Sequence, residues 1–295
     1  MIYSVTFNPS FDMVFSLNPA FHPGNTYDHI PWLGHAGGKG NNVARAIKQL
    51  GGPVTAVGFY GGAVGAMIQR LLSLQQIPCL AASVSESSRV CLTLLTEDVT
   101  EIRGQGPEVS RHTSRTLLQR LRSQLKSSDW ITLSGSLPPG LTADDVIEWV
   151  TTLRPHCQGI VADLSGDNLL AAYEAGVKAI CPNLTEFQQL PDNAPSLRLA
   201  HILVTEGPDG VLWYPLSHTS RRRIFAPVVP TRNPVGAGDV FVGALVYSLW
   251  QRQDWDRALI RAVAAASASV VTDGVGDIDG ALLQEIMPQV YIGTP

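Results

Sequence analysis

At 295 residues, 45% of them hydrophobic, the chain is long enough for one large α/β domain or two modest ones with ample core. Its 21 basic against 25 acidic residues, with a longest basic run of residues 221–223, carry no polyanion-binding signature, so nucleic acid is not an expected partner. Cys79, Cys91, Cys157 and Cys181 form no C-x-x-C pair, the N-terminus has no basic and apolar leader, and no run reaches membrane-spanning length; free thiols in a cytoplasmic, membrane-free protein are expected.

Residues 2–7 alternate β-branched and aromatic side chains and stop at Asn8-Pro9-Ser10, which predicts a strand and a turn with Asp12 at its exit. Residues 13–17 and 25–33 have strand character but are polar and broken by Pro19, Pro23 and Pro31, as in an exposed small sheet. Glycines cluster at 37–42 ahead of an amphipathic helix over 43–50; a buried strand over 54–58, a Gly61-Gly62 turn and a helix over 63–75 follow. Residues 89–95 and 99–103 read as a hairpin-like pair closed by Gly104-Gln105-Gly106-Pro107. Helices then alternate with strands. Helices are expected over 110–126, 143–153, 168–175 and 183–189, and strands over 130–133, 159–163, 177–180, 201–204 and 211–214. The last third reads as helical over 236–250, 255–271 and 280–286.

Strands separated by long helices require a parallel sheet with crossovers on both faces. The broken strands do not fit that rhythm. They read as a small β lid, from roughly 12–36 and 88–104, inserted into a single domain spanning 1–295. No Gly-x-Gly-x-x-Gly, P-loop, G-x-S-x-G or HExxH motif occurs, and His22, His29, His35, His112, His156, His201 and His218 show no metal-ligand spacing. In an open α/β sheet ligands sit outside the carboxyl ends of the strands. Asp12, residues 134–140, Asp163, Asn183, Glu186 and residues 205–210 all fall at such ends, and Asp163 also reads as a plain loop cap.

Asn233-Pro-Val-Gly-Ala-Gly-Asp239 precedes the apolar run 240–250. Glycines flanking Ala237 leave backbone amides uncovered at a helix start, where unpaired N–H groups and the helix dipole favour an anion. Asp239 sits in that first turn and could accept a proton. Alone, the seven residues fit both a phosphate cradle beside a base and an ordinary helix start.

Together with NPSFD (8–12), GGKGNN (37–42), Arg89, TEIRGQGPEVS (100–110), SGSLPPG (134–140), PNLTE (182–186) and TEGPDG (205–210), that turn resembles the ribokinase/PfkB family of carbohydrate kinases. The likeness is greatest to its 1-phosphofructokinase and tagatose-6-phosphate kinase branch. The resemblance implies a ribokinase-like three-layer α/β/α fold with a mostly parallel sheet and a β lid, and ATP-dependent phosphorylation of a sugar hydroxyl. Asp239 would then be the base and the Gly236, Ala237 and Gly238 amides the anion hole. Asp12, Gly38, Lys39, Asn42, Arg89 and Arg103 would hold the sugar. Asn183 and Glu186 would organise Mg²⁺ through waters. Thr205, Gly207 and Gly210 would line the nucleotide phosphates, and small residues over 264–268 and 271–274, Ala268 and Gly274 among them, would flank the adenine.

The match departs in the lid. The branch's Asn-Arg pair aligns with Tyr27 and Asp28, and its lid Asn and Lys with Cys91 and Thr93, while Arg103 replaces an Asn. Fixed cations are how a protein recognises an already phosphorylated sugar. A hexose phosphate is the first expectation for the acceptor, and an unphosphorylated sugar or nucleoside the alternative. A non-catalytic sensor on the same fold is a further reading. Exposed lid edges invite pairing, and a dimer in which lids meet is expected.

Overall fold

The computed structural model describes residues 1–17, 21–96, 99–194, 199–216 and 220–295, and its strands sort into two sheets. The larger holds β1 (Ile2–Thr6), β4 (Val54–Gly61), β5 (Cys79–Val84), β8 (Trp130–Ser134), β9 (Gly159–Asp163), β10 (Ala179–Ile180), β11 (His201–Thr205), β12 (Val211–Tyr214), β13 (Arg222–Phe225) and β14 (Tyr291–Gly293). Their order is 14-13-12-11-10-9-8-1-4-5. Pairing is parallel from β5 to β11 and antiparallel from β11 to β14. The smaller sheet orders β3 (Trp32–Gly37), β2 (Ser10–Ser16), β6 (Arg89–Leu95) and β7 (Val99–Arg103), with β2 and β6 parallel and the outer pairs antiparallel.

Helices α1 (Lys39–Gln49), α2 (Gly62–Leu74), α3 (Arg111–Arg122), α4 (Ala143–Leu153), α5 (Asp167–Glu174), α6 (Leu184–Gln188), α7 (Ala237–Trp250), α8 (Trp255–Ser269) and α9 (Gly280–Ile286) complete the layers. Side-chain alternation along β1 sends Ile2 to one core and Tyr3 and Val5 to the other. The first core packs against α1, α7, α8 and α9, and the second against α3, α4 and α5. In the second, Trp149 is 1% exposed, meets Phe7 edge-on at 5.1 Å and donates its Nε1–H to Ser114 Oγ at 2.9 Å. Helix α7 is apolar on every side because it is buried on every side from Asp239 to Leu249.

Helix α1 rests directly on β1. A Cβ on Gly40 would lie 2.4 Å from the Val5 carbonyl oxygen, so only glycine permits the approach, and Ser4 Oγ donates to Gly40 O at 2.6 Å. This contact brings the first turn of α1 to the carboxyl end of β1.

Several expectations are corrected. Residues 25–31 carry no strand, and the lid strand begins only at Trp32, after Pro31. Strand β5 was not expected, because its small residues form a weakly patterned edge paired to β4. The basic run 221–223 leads into a strand that was not expected. Arg222 and Arg223 enter β13, where Arg222 stacks on Trp213 at 5.2 Å and forks onto Asp256 at 2.7 and 2.9 Å. Strand β14 closes that side and was also missed. Pro19 and His218 lie outside the described residues. All four cysteines are free, Cys181 buried and the others partly so. Among the described residues no helix is long and apolar enough to cross a membrane.

Candidate active site

The carboxyl ends of β1, β8, β9, β10 and β11 and the first turns of α1 and α7 meet around a polar cavity of about 450 Å³, the place an open α/β sheet leaves for a ligand. The small sheet supplies its far wall through Ser10, Asp12, Arg89, Glu101 and Arg103.

At its centre is the start of α7. Gly236 caps the helix in the left-handed conformation, φ 86°, and a Cβ there would meet Gly276 N and the Val275 side chain at 3.0 Å. Asn233 ties the approach together: its Oδ1 accepts from Val235 N at 3.0 Å and its Nδ2 donates to Asp273 O at 3.0 Å. The Ala237 amide donates to Pro234 O at 3.2 Å, so Ala237 departs from the expectation of a free anion-hole donor. The Gly238 and Asp239 amides have no backbone acceptor among the described residues, and nothing lies within 4 Å of where a Gly238 Cβ would sit. These N–H groups belong to residues that line the cavity walls, at the positive end of a helix.

Asp239 is 6% exposed, and its Oδ2 accepts from Asn42 Nδ2 at 2.8 Å. Burial, followed by the Asp163 carboxylate, pushes its pKa up to about 7; Lys39, the Asn42 hydrogen bond and Arg45 hold it from rising further. A carboxyl poised near neutrality can exchange a proton at physiological pH. Lys39 donates to Asp163 Oδ1 at 2.9 Å. Burial opposes its charge, but the Asp163 and Asp239 carboxylates outweigh that and raise its pKa above the ordinary lysine value. Asp12 is raised by burial against the opposing Ser10 hydroxyl, which donates to it at 2.5 Å, and the Arg89 charge. His35 lies 3.8 Å from Asp12, but burial and then Arg45 hold its pKa down at about 3, so the imidazole is neutral.

A second cavity of about 430 Å³ opens on the other side of the same turn, and Gly238 and Thr205 line both. Its walls are mainly apolar, from Val211, Ala226, Phe241, Val263 and Ala266, with the hydroxyls of Thr231 and Ser267. Gly207 presents an open side, with nothing within 4 Å of a Cβ position.

The first cavity brings together Asp12, Gly38, Lys39, Asn42, Arg89, Arg103, Asn183, Glu186, Thr205, Gly236, Gly238 and Asp239; the second adds Gly207, Gly210 and Ala237. Ala268 and Gly274 line neither, which corrects their expected place beside a base. Ala268 is fully buried in the core, and Gly274 sits against the Asp277 carboxylate. A helix cannot present five successive residues to one cavity, and what reaches it is Val263, Ala266 and Ser267 of α8 with Val270 just past its end. Nor do Tyr27 and Asp28 line the polar cavity, so Asp28 places no negative charge on its wall.

Asn183 and Glu186 cap each other: Asn183 Oδ1 accepts from Glu186 N and Glu186 Oε2 from Asn183 N, each at 2.9 Å. One oxygen of each is thereby committed. A cation beside them would take most of its ligands from water and from a bound phosphate, the arrangement Mg²⁺ accepts readily.

Arg45 was not singled out from the sequence, Asn8 and Glu101 appeared only within motifs, and Asp163 was placed at the rim but read as a loop cap. Asp163 follows a strand end, the one signal available, while its partnership with Lys39 spans 124 positions. Arg89 spends Nε and Nη2 on the Asn8 carbonyl at 3.2 and 3.0 Å, and Arg103 pairs with Glu101 at 2.6 Å.

Residues 32–279 match the model of the pfkB family carbohydrate kinases. The 1-phosphofructokinase of Escherichia coli K12 is 31% identical, with 98% of this chain and 97% of that one aligned. That of Bacillus subtilis 168 is 29% identical over 99% of each. Among solved structures, phosphofructokinase-2 from Escherichia coli in complex with potassium superposes with a TM-score of 0.87 at 25% identity, covering 98% of both chains.

Proposed function

Because the chain belongs to the pfkB family of carbohydrate kinases, and is a sugar kinase, we propose that it transfers the terminal phosphoryl group of ATP to a hydroxyl of a hexose phosphate. One observation carries this reading: the turn at Gly236–Asp239 is the shared wall of a polar cavity and an apolar one, so a flat base and a polyol can approach it from opposite sides. The nucleotide occupies the apolar cavity, its base against Val263, Ala266 and Phe241 and its phosphates along Thr205, Gly207 and Gly210. The acceptor occupies the polar cavity among Asp12, Gly38, Lys39 and Asn42. Asp239 removes the hydroxyl proton, and the Gly236, Gly238 and Asp239 amides hold the charge that develops on the transferring group. Mg²⁺, placed by Asn183 and Glu186 through waters, supplies charge neutralisation when bound. Lys39, fixed by Asp163, keeps a positive charge near the base. The small sheet excludes water from the reacting groups.

Arg89 and Arg103 reach the cavity from adjacent strands, Arg103 opposite Cys91 in register, and suit an acceptor that already carries a phosphate. The identity of the related enzymes of Escherichia coli and Bacillus subtilis as 1-phosphofructokinases supports the same acceptor class. A second reading, an unphosphorylated sugar, is favoured by the partners both arginines already hold and by Asp12, Glu101, Asp163 and Glu186 on the same walls. ADP release from Mg-ATP across a panel of hexoses, hexose phosphates and nucleosides decides. Turnover confined to uncharged acceptors rejects the first reading, and no turnover on any sugar removes the kinase assignment.

Trp32, Leu33 and Ile102 are more than half exposed on the small sheet, which supports a dimer that pairs two such sheets. Light scattering at the mass of a single chain ends that proposal. The four unpaired thiols suit a reducing, ATP-supplied cytoplasm as the place of reaction.

A further inference from the structure

Helix α1 turns one face towards the start of α7, and residues 42, 45 and 49 share it by helical spacing. Asn42 reaches Asp239 itself. Arg45 is 6% exposed; its Nη2 donates to the Val275 carbonyl, and its Nε, without a hydrogen-bond partner, lies 3.8 Å from Asp277 Oδ1. Gln49, one turn on, donates to Gly276 O at 3.3 Å and accepts from Ile278 N at 2.8 Å. The loop so gripped is the one that closes on the helix cap: Gly276 N and Val275 Cγ1 lie 3.0 Å from where a Gly236 Cβ would be.

A guanidinium taken out of water costs several kcal/mol and is retained only where its surroundings repay it. The groups facing Arg45 and the base are Asp277, Asp239, Asp12, His35, Lys39 and Asp163. Asp12 and Asp239 both line the polar cavity and both act on Arg45, the one arginine buried among the described residues.

We propose that Arg45 is a positioning residue for phosphoryl transfer: it locks the 275–278 loop against the Gly236 cap, fixing the amides of the first turn of α7, and keeps a buried positive charge within reach of Asp12 and Asp239. It touches neither substrate. The loop contact sets where the amides point, and the charge sets how readily Asp239 is ionised. Burial lowers the proton affinity of Arg45, but the neighbouring carboxylates oppose that, and its positive charge in turn holds the Asp239 pKa down. The inference rests on Asp239 as the base, and Asp239→Asn tests that assignment separately.

The experiment measures kcat, both KM values and the pH of half-maximal kcat/KM for Arg45→Met, Arg45→Lys and the surface variant Gln49→Met. Arg45→Met is expected to lower kcat about tenfold or more and to move the acid limb upward by about half a pH unit or more. Arg45→Lys restores the wild-type midpoint but only part of kcat, since one ammonium does not reproduce the fork. Gln49→Met weakens the second anchor and lowers kcat about threefold with no change in midpoint. Arg45→Met with a wild-type midpoint and kcat within about twofold overturns the proposal, provided Asp239→Asn is inactive. If Arg45→Met does not fold, Arg45→Lys and Gln49→Met both at wild-type kcat overturn it equally. A kcat loss in all three with an active Asp239→Asn refutes the base assignment instead.

Discussion

Replacing Asp239 by asparagine sets activity against stability, and both effects have a sign fixed by the structure. The carboxyl is buried beneath Asn42 and close to Asp163, and its pKa rises from 3.8 to about 7. An acid whose folded pKa lies above its unfolded one favours the folded state most below the unfolded value. That contribution is lost as pH rises from about 4 through 7. At about 1.36 kcal/mol per pH unit, the ionised carboxylate costs the folded protein about 4 kcal/mol above pH 7. Asparagine is nearly isosteric, keeps an oxygen for Asn42 and carries no charge. The variant is therefore expected to melt several degrees higher than wild type at pH 8, at about 2 °C per kcal/mol for a chain of this size, with the difference vanishing towards pH 4. Turnover should fall by about 10² to 10⁴ for loss of a general base, with nucleotide affinity unchanged. Wild-type kcat/KM should lose about tenfold per unit below pH 7. Scanning calorimetry at pH 8 and pH 5, with ADP release over the same range, reads both. Turnover of Asp239→Asn within about tenfold of wild type would remove Asp239 from the proton transfer. A variant less stable than wild type at pH 8 would refute the account of the buried charge.

Asp163→Asn removes the carboxylate that raises Asp239, so the midpoint of the kcat/KM profile should move to lower pH, whereas Lys39→Met should move it up. An unchanged midpoint in both variants would show that the pair does not tune the base. Gly40→Ala places a methyl 2.4 Å from the Val5 carbonyl oxygen and should cost about 1–3 kcal/mol in urea unfolding, and a wild-type midpoint would contradict the close approach of α1 to β1. Ala266→Phe fills the apolar cavity and should raise the KM for ATP about tenfold or more while leaving the acceptor KM within about twofold, and the reverse pattern would exchange the two cavities.

What the chain announced by itself was whatever local pattern controls. Helix α4 and strand β9 fall on their expected residues because an amphipathic run and a short apolar run each carry a period readable within a dozen positions. The lid strands β6 and β7 were equally legible, bounded as they are by turn residues. The start of α7 was visible as glycines ahead of an apolar run, and motif order identified the family.

Tertiary structure decided the rest. Strands β5, β13 and β14 exist because a sheet edge was there to pair with, and their own residues are small, basic or few. Which of residues 264–268 line the second cavity follows from how α8 lies, and that leaves Ala266 and Ser267 on its wall and Ala268 in the core. The Ala237 amide is spent on Pro234 through the turn's geometry rather than its composition. Lys39 meets Asp163, and Arg45 meets Val275, across more than a hundred positions. Proton affinity belongs to such encounters. Burial and neighbouring charge set it, and neither exists until the chain has folded.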